Sequence, residues 1–302
     1  MGTAFSKVEI ENNPNFVQDV MADPFFKKNA YLYGHDHTIY WAAVDPVAHP
    51  LYVWEKRKPR IGWGALPGSH LLPILMKLFN PKPAPTYVQT AHSLDAVVFS
   101  NGPLMTIPGA TPYGPVFSAQ NGINDPGANN LDQWLYALGR KTPSGGIKFT
   151  DYAIFPAQTR GVDATAAGYA EVIVGLYPLI YHGVPLDKTP GSAGFNQAFT
   201  NFIKTATIVA WGLIPPMVET QKGLLVAAGH ESSTLPFSAN DIERVVDDFV
   251  VIGVTDAVAM DGGTYVISSS AMIGEHDTSW FDPAENFLAK KQTLQKYGFY
   301  CK

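Results

Sequence analysis

The chain has 302 residues, of which 46% are hydrophobic and 16% charged, and its net charge is −5. This balance allows a large core and excludes an intrinsically disordered protein. The one dense basic cluster, residues 55–60, is interpreted as a solvated loop, so no nucleic-acid binding is expected. No apolar run approaches the length of a membrane span. The single cysteine, Cys301, excludes an internal disulfide, and its place near the C-terminus predicts surroundings too loose to activate it as a nucleophile.

Short apolar runs bounded by turn residues predict strands along the whole chain. In order, they cover residues 38–44, 51–54, 96–100, 152–155, 171–176, 207–211, 223–228, 257–260 and 265–269. Helices are fewer, and are predicted over residues 129–138, 195–203 and 238–249.

The clearest helix begins after Ser238, which with Asp241 matches the [ST]-x-x-[DE] capping pattern. Val245 and Phe249 follow at helical spacing. The flanking apolar runs make this a β-loop-α-β unit, which suits adjacent parallel strands or strands close together in a mixed sheet. The predicted fold class is therefore α+β, with a large mixed β-sheet and flanking helices in a single domain over residues 1–302.

The turn from Asp261 to Thr264 is the sharpest candidate for chemistry. An apolar run leads directly into Asp261, two glycines and a threonine, and a second strand pattern follows. Gly262 and Gly263 permit a positive φ and a close backbone approach, and successive N–H groups in such a turn bind anions. A carboxylate at a strand end would be held rigidly, as catalysis requires. An ordinary Asp-Gly hairpin is an equally balanced alternative.

Two further apolar runs end in polar residues. Asn101 and Gly102 follow one of them, and an asparagine amide both donates and accepts hydrogen bonds, which suits sugar hydroxyls. His230 and Glu231 follow another, at the strand end where sites in α/β units usually lie. A plain Asn-Gly turn and a solvated loop are the respective alternatives.

The order of these strand-end turns resembles the phosphodiester glycosidase family. In that family one strand ends in Asn-Gly-Gly-Phe, a later one in Arg-Thr-Ala, another in an Asp-Gly loop before a helix, and a last one in Asp-Gly-Gly-Gly-Ser. The similar segments here fall within residues 35–275 and are Asn101-Gly102-Pro103-Leu104, Lys204-Thr205-Ala206, Gly229-His230-Glu231 and Asp261-Gly262-Gly263-Thr264. Residues 42–46 resemble an early strand of the family, and residues 172–179 its Gly-x-Pro-x-Leu segment. The chain departs from the family at Pro103, Lys204 and Thr264.

The resemblance implies hydrolysis of the glycosidic bond in a carbohydrate phosphodiester. It implies that Asp261 is the catalytic carboxylate and that Glu231 or His230 is the second acid–base group. Substrate-binding roles are implied for Asn101, Gly102, Lys204, Thr205, Gly262, Gly263 and Thr264. Because lysine lacks the bidentate fork of arginine, Lys204 would hold a phosphate as a point charge. No organic cofactor and no protein-held metal are expected, and a divalent cation is left open.

Other interpretations stay open. The departures at Pro103, Lys204 and Thr264 fit a non-catalytic carbohydrate-binding or surface-recognition module, and the aromatic content fits an enzyme that degrades phosphodiester-linked polymers. The segment 35–37, His-Asp-His, invites a metal interpretation, but no third ligand stands at useful spacing, so a structural role is preferred. The protein is expected to be soluble, and its compartment, sugar and oligomeric state are left open.

Overall fold

The computed structural model describes residues 8–36, 39–55, 90, 93–103, 111–127, 135–157, 168–185, 208–218, 221–230, 239–261, 267–268 and 297–302. Within them lie three α-helices: α1 Phe16–Ala22, α2 Pro24–Asn29 and α3 Ala239–Val251. The strands, in chain order, are β1 Tyr31–Asp36, β2 Ile39–Val44, β3 Leu51–Glu55, β4 Val98–Asn101, β5 Val116–Ser118, β6 Ile123–Asp125, β7 Tyr136–Lys141, β8 Tyr152–Pro156, β9 Tyr169–Val174, β10 Pro178–Tyr181, β11 Val184–Pro185, β12 Ile208–Ile214, β13 Leu224–His230, β14 Asp256–Asp261, β15 Ile267–Ser268 and β16 Tyr297–Cys301.

These strands form three sheets, and the described part of the fold is mostly β-structure with few helices. A seven-stranded sheet has the order β1-β2-β13-β12-β14-β10-β11, a four-stranded sheet the order β15-β4-β16-β3, and a five-stranded sheet the order β6-β5-β9-β7-β8. Each predicted strand overlaps one of these strands. The predicted β-loop-α-β unit is also present as β13, α3 and β14.

The prediction of a mixed sheet is wrong for the described residues, since every strand pairing among them is antiparallel. β12 lies between β13 and β14 and runs antiparallel to both. The crossover that favoured adjacent parallel strands instead connects β13 to β14, which run in the same direction but are separated by β12.

One face of the seven-stranded sheet is covered by helices. The Trp41 ring of β2 meets Phe16 of α1 edge-on, with ring centroids 5.1 Å apart. α3 buries its apolar side on the same face, where a Cβ added to Gly212 of β12 would lie 3.1 Å from the Phe249 ring. α3 therefore runs back along the sheet from the end where β13 stops.

The other face is covered by the four-stranded sheet. Trp211 of β12 packs on Phe299 of β16 with ring centroids 4.7 Å apart, and its indole N–H donates to the Ser100 hydroxyl of β4 at 3.3 Å. The Tyr33 hydroxyl of β1 donates to the Val97 carbonyl at 2.6 Å. The five-stranded sheet packs on β3 of the four-stranded sheet and also contacts β14 of the seven-stranded sheet.

Three local predictions have separate outcomes. The predicted helix over residues 129–138 is wrong at its C-terminal end, because β7 begins at Tyr136. The predicted helix over residues 195–203 lies outside the described residues. The prediction for Cys301 is also wrong: its side chain is fully buried in β16, and this burial raises the pKa of the thiol. The thiol is therefore a poor nucleophile because it is desolvated rather than because it is loosely held.

Candidate functional site

Two of the sequence-predicted site residues end the two strands that flank β12, at one end of the seven-stranded sheet. β13 ends at His230 and β14 ends at Asp261, while β12 between them begins at Ile208. Ile208 pairs with Asp261, and the next residue of β12, Val209, pairs with Gly229. Since neighbouring strands lie about 4.8 Å apart, the Cα atoms of His230 and Asp261 are separated by about 10 Å across β12.

The β1–β2 hairpin closes at the same end of the sheet. Asp36, the last residue of β1, pairs with Ile39, the first residue of β2, and Ile39 also pairs with His230. One register row therefore runs through Asp36, Ile39, His230, Ile208 and Asp261, and we call it the end row. That Asp36 shares a register row with His230 could not be predicted, because the row appears only once the strands are paired.

Most of the remaining predicted site residues lie outside the described residues and are known here by chain position alone. These residues are Lys204, Thr205, Glu231, Gly262, Gly263 and Thr264. Glu231 directly follows His230, the two glycines directly follow Asp261, and Thr205 stands three residues before Ile208. All of them are thus next to the end row in the chain.

The turn after Asp261 is not a simple hairpin. β14 belongs to the seven-stranded sheet, whereas β15 belongs to the four-stranded sheet, where Ile267 pairs with Ser100. Residues 262–266 therefore connect the two sheets and lead from Asp261 to the neighbour of Asn101. This removes the hairpin alternative, and it links two segments that the sequence had joined only by resemblance.

Asn101 closes β4 and pairs with Gly298 of β16, so it does not stand in the end row. The next residue, Gly102, is buried, and a Cβ added there would lie 2.6 Å from the Tyr297 carbonyl oxygen. Glycine is therefore required by a close backbone approach. Pro103 is buried as well.

The Gly-x-Pro-x-Leu segment packs directly on β14. The Leu176 N–H donates to the Ala259 carbonyl at 2.6 Å, and the Ala259 N–H donates to the Tyr177 carbonyl at 3.0 Å. A Cβ added to Gly175 would lie 2.6 Å from the Ala259 carbonyl and 3.0 Å from the Met260 sulfur. This contact stands beside the last residues of β14 and holds the strand that carries Asp261.

A tyrosine–carboxylate contact that the sequence did not indicate lies beside Gly102. The Tyr297 hydroxyl donates to Asp125 Oδ2 at 2.6 Å. Burial raises the pKa of Tyr297, and the Asp125 and Glu55 carboxylates raise it further. The three residues come from β16, β6 and β3, so no local pattern could have predicted the contact.

A second polar register row lies inside the protein, on the five-stranded sheet. Glu171 of β9 pairs with Ser118 of β5 and with Arg140 of β7, which in turn pairs with Tyr152 of β8. We call these four residues the inner row, and all four are buried. The Arg140 guanidinium lies 3.8 Å from the Glu171 carboxylate, and the Ser118 hydroxyl donates to that carboxylate at 3.1 Å.

Side chains of the inner row form hydrogen bonds with backbone groups of β3, as a neighbouring strand would. Arg140 Nε donates to the Leu51 carbonyl at 2.9 Å, and Glu171 accepts from the Val53 N–H at 2.8 Å. The Tyr152 hydroxyl accepts from the Leu51 N–H at 3.3 Å. Burial raises the pKa of Glu171 to about 7 against the lowering effect of these partners. Because its polar atoms are bonded to the protein itself, this row is interpreted as structural.

No metal centre or membrane helix is found in the part of the chain that the structure describes. There, no three or more histidine, cysteine, aspartate and glutamate side chains are grouped so that they could hold a metal ion. Nor is any helix there sufficiently long and apolar to cross a bilayer.

The fold is similar to that of a solved catalytic domain. It is similar to the zebrafish N-acetylglucosamine-1-phosphodiester alpha-N-acetylglucosaminidase catalytic domain auto-inhibited by its pro-peptide, with a TM-score of 0.52 and 13% identity over 89% of this chain and 81% of that chain. A hypothetical protein from Synechocystis aligns with 87% of this chain and 58% of its own, at 12% identity and a TM-score of 0.46 that is too low to argue from. No protein-family model matches the chain. No curated protein matches it either. The first likeness shows a relationship of fold.

Proposed function

We propose that this protein hydrolyses the glycosidic bond of a sugar phosphodiester, with Asp261 as the carboxylate beside the anomeric carbon. The supporting observation is the end row, in which β13 and β14 deliver His230 and Asp261 to the same end of one sheet. The similarity of fold to a catalytic domain whose name describes such a reaction supports the same proposal.

In the proposed mechanism, charge stabilisation matters more than strong acid assistance. A phosphate ester leaves as a weakly basic anion, so its departure needs less protonation than that of an alkyl alcohol. Asp261 acts as nucleophile or base, and Glu231 or His230 serves as the second acid–base group. Placement at strand ends supports these roles, because a packed strand holds a carboxylate in a fixed position.

The leaving phosphate is assigned to residues next to the end row in the chain. Lys204 would supply a positive charge, and the N–H groups of Gly262 and Gly263 would donate to phosphate oxygens. Asn101 and Thr264 would orient sugar hydroxyls, and Gly102 and Thr205 would line the same pocket. The link from β14 to β15, which ends beside Ser100, supports the inclusion of Asn101.

The decisive test is an Asp261→Asn variant assayed with a panel of sugar-1-phosphodiesters, beginning with an N-acetylglucosamine-1-phosphodiester, by chromatography of the released sugar. Loss of the catalytic carboxylate is expected to lower kcat by about 100-fold or more. The matched control is Asp256→Asn, at the opposite end of the same strand, where Asp256 accepts from the backbone N–H of His182 at 2.9 Å.

Thermal unfolding of both variants checks that the fold is intact. Near-normal turnover by Asp261→Asn would contradict the assignment of Asp261. Failure of the unaltered protein to release sugar from any member of the panel would contradict the proposed function itself.

A non-catalytic carbohydrate-binding module on the same fold is the second candidate. It is favoured by the buried Pro103, which replaces a glycine of the family's Asn-Gly-Gly turn, and by Lys204 in place of arginine. This candidate predicts saturable glycan binding without released product. Isothermal titration with the same panel distinguishes the two functions, because a binding module would bind a ligand without cleaving it.

A further inference from the structure

Three aromatic side chains form a continuous surface at the end of the seven-stranded sheet opposite the end row. The Tyr136 and Tyr181 rings meet edge-on with centroids 5.0 Å apart, and the Tyr181 and His182 ring centroids are 4.0 Å apart. Tyr136 belongs to β7, whereas Tyr181 and His182 stand at the tip of the β10–β11 hairpin. The His182 side chain is 73% exposed, and both tyrosines are partly exposed. We call these three residues the aromatic platform.

The histidine of the platform is unusual for the turn that carries it. Tyr181 pairs with Val184, so His182 and Gly183 form a two-residue turn between them. Both turn residues have a positive φ, which is 51° at His182 and 77° at Gly183. Turns of this kind strongly favour Asn-Gly, and a non-glycine residue with positive φ is uncommon. The fold therefore gives no reason to prefer histidine over asparagine at position 182.

The hairpin tip is held in place by the start of β14. The His182 N–H donates to Asp256 Oδ1 at 2.9 Å, and the Gly183 N–H donates to the Thr255 carbonyl at 2.8 Å. The His182 imidazole Nδ1 also lies 3.5 Å from Asp256 Oδ1. Asp256 and Asp261 are the first and last residues of β14, so their Cα atoms are separated by about 17 Å along the strand. The platform is thus a fixed surface, well apart from the end row.

The chemistry of the platform fits a sugar ring. Each of its rings has an apolar face and a polar edge, a tyrosine hydroxyl or an imidazole nitrogen, and such side chains suit a partner that is apolar on one side and wet on the other. A pyranose is divided in the same way, with C–H groups on its face and hydroxyls around its rim. Burial raises the pKa of Tyr136 and the nearby Tyr181 raises it further, so the Tyr136 hydroxyl remains a donor at neutral pH. A wholly apolar partner would cover these polar edges without bonding them, which is costly.

We propose that the aromatic platform is a second carbohydrate site, which binds neutral pyranose residues of a glycan by ring stacking and by hydrogen bonds to their hydroxyls. This inference rests on the proposed function for its biological meaning, since the bound glycan would be the one that carries the phosphodiester. The binding itself is independent of turnover and can be measured without it.

The test is proton NMR titration of the full chain with neutral hexasaccharides of N-acetylglucosamine, of glucose and of mannose. It follows the C2–H signal of His182, which is assigned by its loss in His182→Asn. At least one hexasaccharide is expected to shift this signal saturably. Its Kd by isothermal titration should rise about tenfold in His182→Asn and in Tyr181→Leu, because each variant loses one stacking ring.

Two controls make the result specific to the platform. Asparagine is favoured in this turn, so His182→Asn should fold with an unchanged or higher melting temperature, which separates lost binding from lost structure. Met217→Ala removes a 62% exposed side chain from the turn after β12, at the same end of the sheet but outside the platform, and should leave the Kd unchanged.

Failure of the platform and failure of the proposed function give different results. Absence of a saturable His182 shift with all the hexasaccharides would overturn the platform, and so would an unchanged Kd in both ring variants or an equal loss of affinity in Met217→Ala. Absence of sugar release by the unaltered protein would instead overturn the proposed function and leave the measured glycan binding standing.

Discussion

The end row and the inner row are both register rows of an antiparallel sheet that contain charged or titratable residues, yet they stand in opposite settings. The inner row lies between two sheets, where Glu171 and Arg140 bond to each other and to the backbone of β3. The end row lies where strands stop, and Glu231, Gly262 and Gly263 come directly after it in the chain. The first row joins sheets, and the second brings chemically competent residues to a sheet end.

The contrast shows that a shifted pKa does not by itself mark an active site. Glu171 has a pKa near 7, which would suit a general acid. Its carboxylate oxygens, however, accept hydrogen bonds from Ser118 and Val53, and the residue lies within β9 rather than at a strand end. Perturbed groups gather both at sites and in structural ion-pair networks. The two rows are therefore distinguished by the residues that surround them, not by a shifted pKa.

Removal of the inner-row arginine is expected to have the largest effect on stability. Arg140→Met would leave the Glu171 charge and the Leu51 carbonyl without their partner, which costs about 3–5 kcal/mol of unfolding free energy at pH 8. Urea unfolding measures this loss. Arg244→Met is the control, since the Arg244–Glu11 pair at 3.4 Å is partly exposed and worth about 0–1 kcal/mol.

Asp261→Asn in the end row should change the same unfolding free energy by less than about 1 kcal/mol, because the substitution keeps the size of the side chain and creates no cavity. Equal losses for Arg140→Met and Asp261→Asn would break the distinction between the rows.

The charge on Glu171 predicts a pH-dependent difference of intermediate size. Its pKa in the folded protein, about 7, lies above its ordinary value of 4.5, so the folded state favours the protonated form. The stability that this group contributes is present below pH 4.5 and is lost as the pH rises to 7, by about 3 kcal/mol at most. Glu171→Gln has no such titration. The unfolding free energy of this variant, relative to that of the unaltered protein, should therefore increase as the pH rises from 4.5 to 7.

The measurement is urea unfolding of both proteins at intervals between pH 4.5 and 8. The difference between the two proteins should become constant above pH 7. If the unfolding free energies of the two proteins ran parallel over the whole pH range, Glu171 would have an ordinary pKa, and this distinction between the two rows would disappear.

Removal of a single hydroxyl is expected to have the smallest effect among the three substitutions in the inner row. The Tyr152 hydroxyl donates to the Pro46 carbonyl at 2.8 Å and accepts from the Leu51 N–H. Tyr152→Phe leaves these buried backbone groups unsatisfied and should cost about 1–2 kcal/mol by urea unfolding. Tyr181→Phe, on a partly exposed tyrosine of β10, serves as the control and should stay within about 0.5 kcal/mol. A Tyr152→Phe protein as stable as the control would show that the backbone of β3 does not depend on the row.

The sequence predicted local strands well because each apolar run reports its own burial. It predicted their partners poorly, because pairing is decided by residues far away in the chain. Leu135 and Leu138 have the spacing of a helix, yet Leu138 pairs with both Ile154 and Ile173. The helix α3 was predictable, since its capping pattern and its buried stripe lie within a dozen residues.

The candidate site shows the same limit. The placement of His230 and Asp261 at strand ends could be predicted, because each follows an apolar run. The register row that Asp36 shares with His230 could not, since it depends on β2 lying next to both β1 and β13. Glu171 and Arg140 were missed for the same reason, because each looks like an isolated charge until β7 pairs with β9.

The central place of β16 has a consequence for how the chain folds. β16 lies between β3 and β4 and pairs with both, so residues 297–301 join strands formed by residues 51–55 and 98–101. During synthesis, β3 and β4 must wait with an unpaired edge until nearly two hundred further residues have been made. Contacts this distant in sequence slow folding, and unpaired strand edges promote aggregation. Newly made chains should therefore depend on chaperones until β16 emerges and completes the sheet.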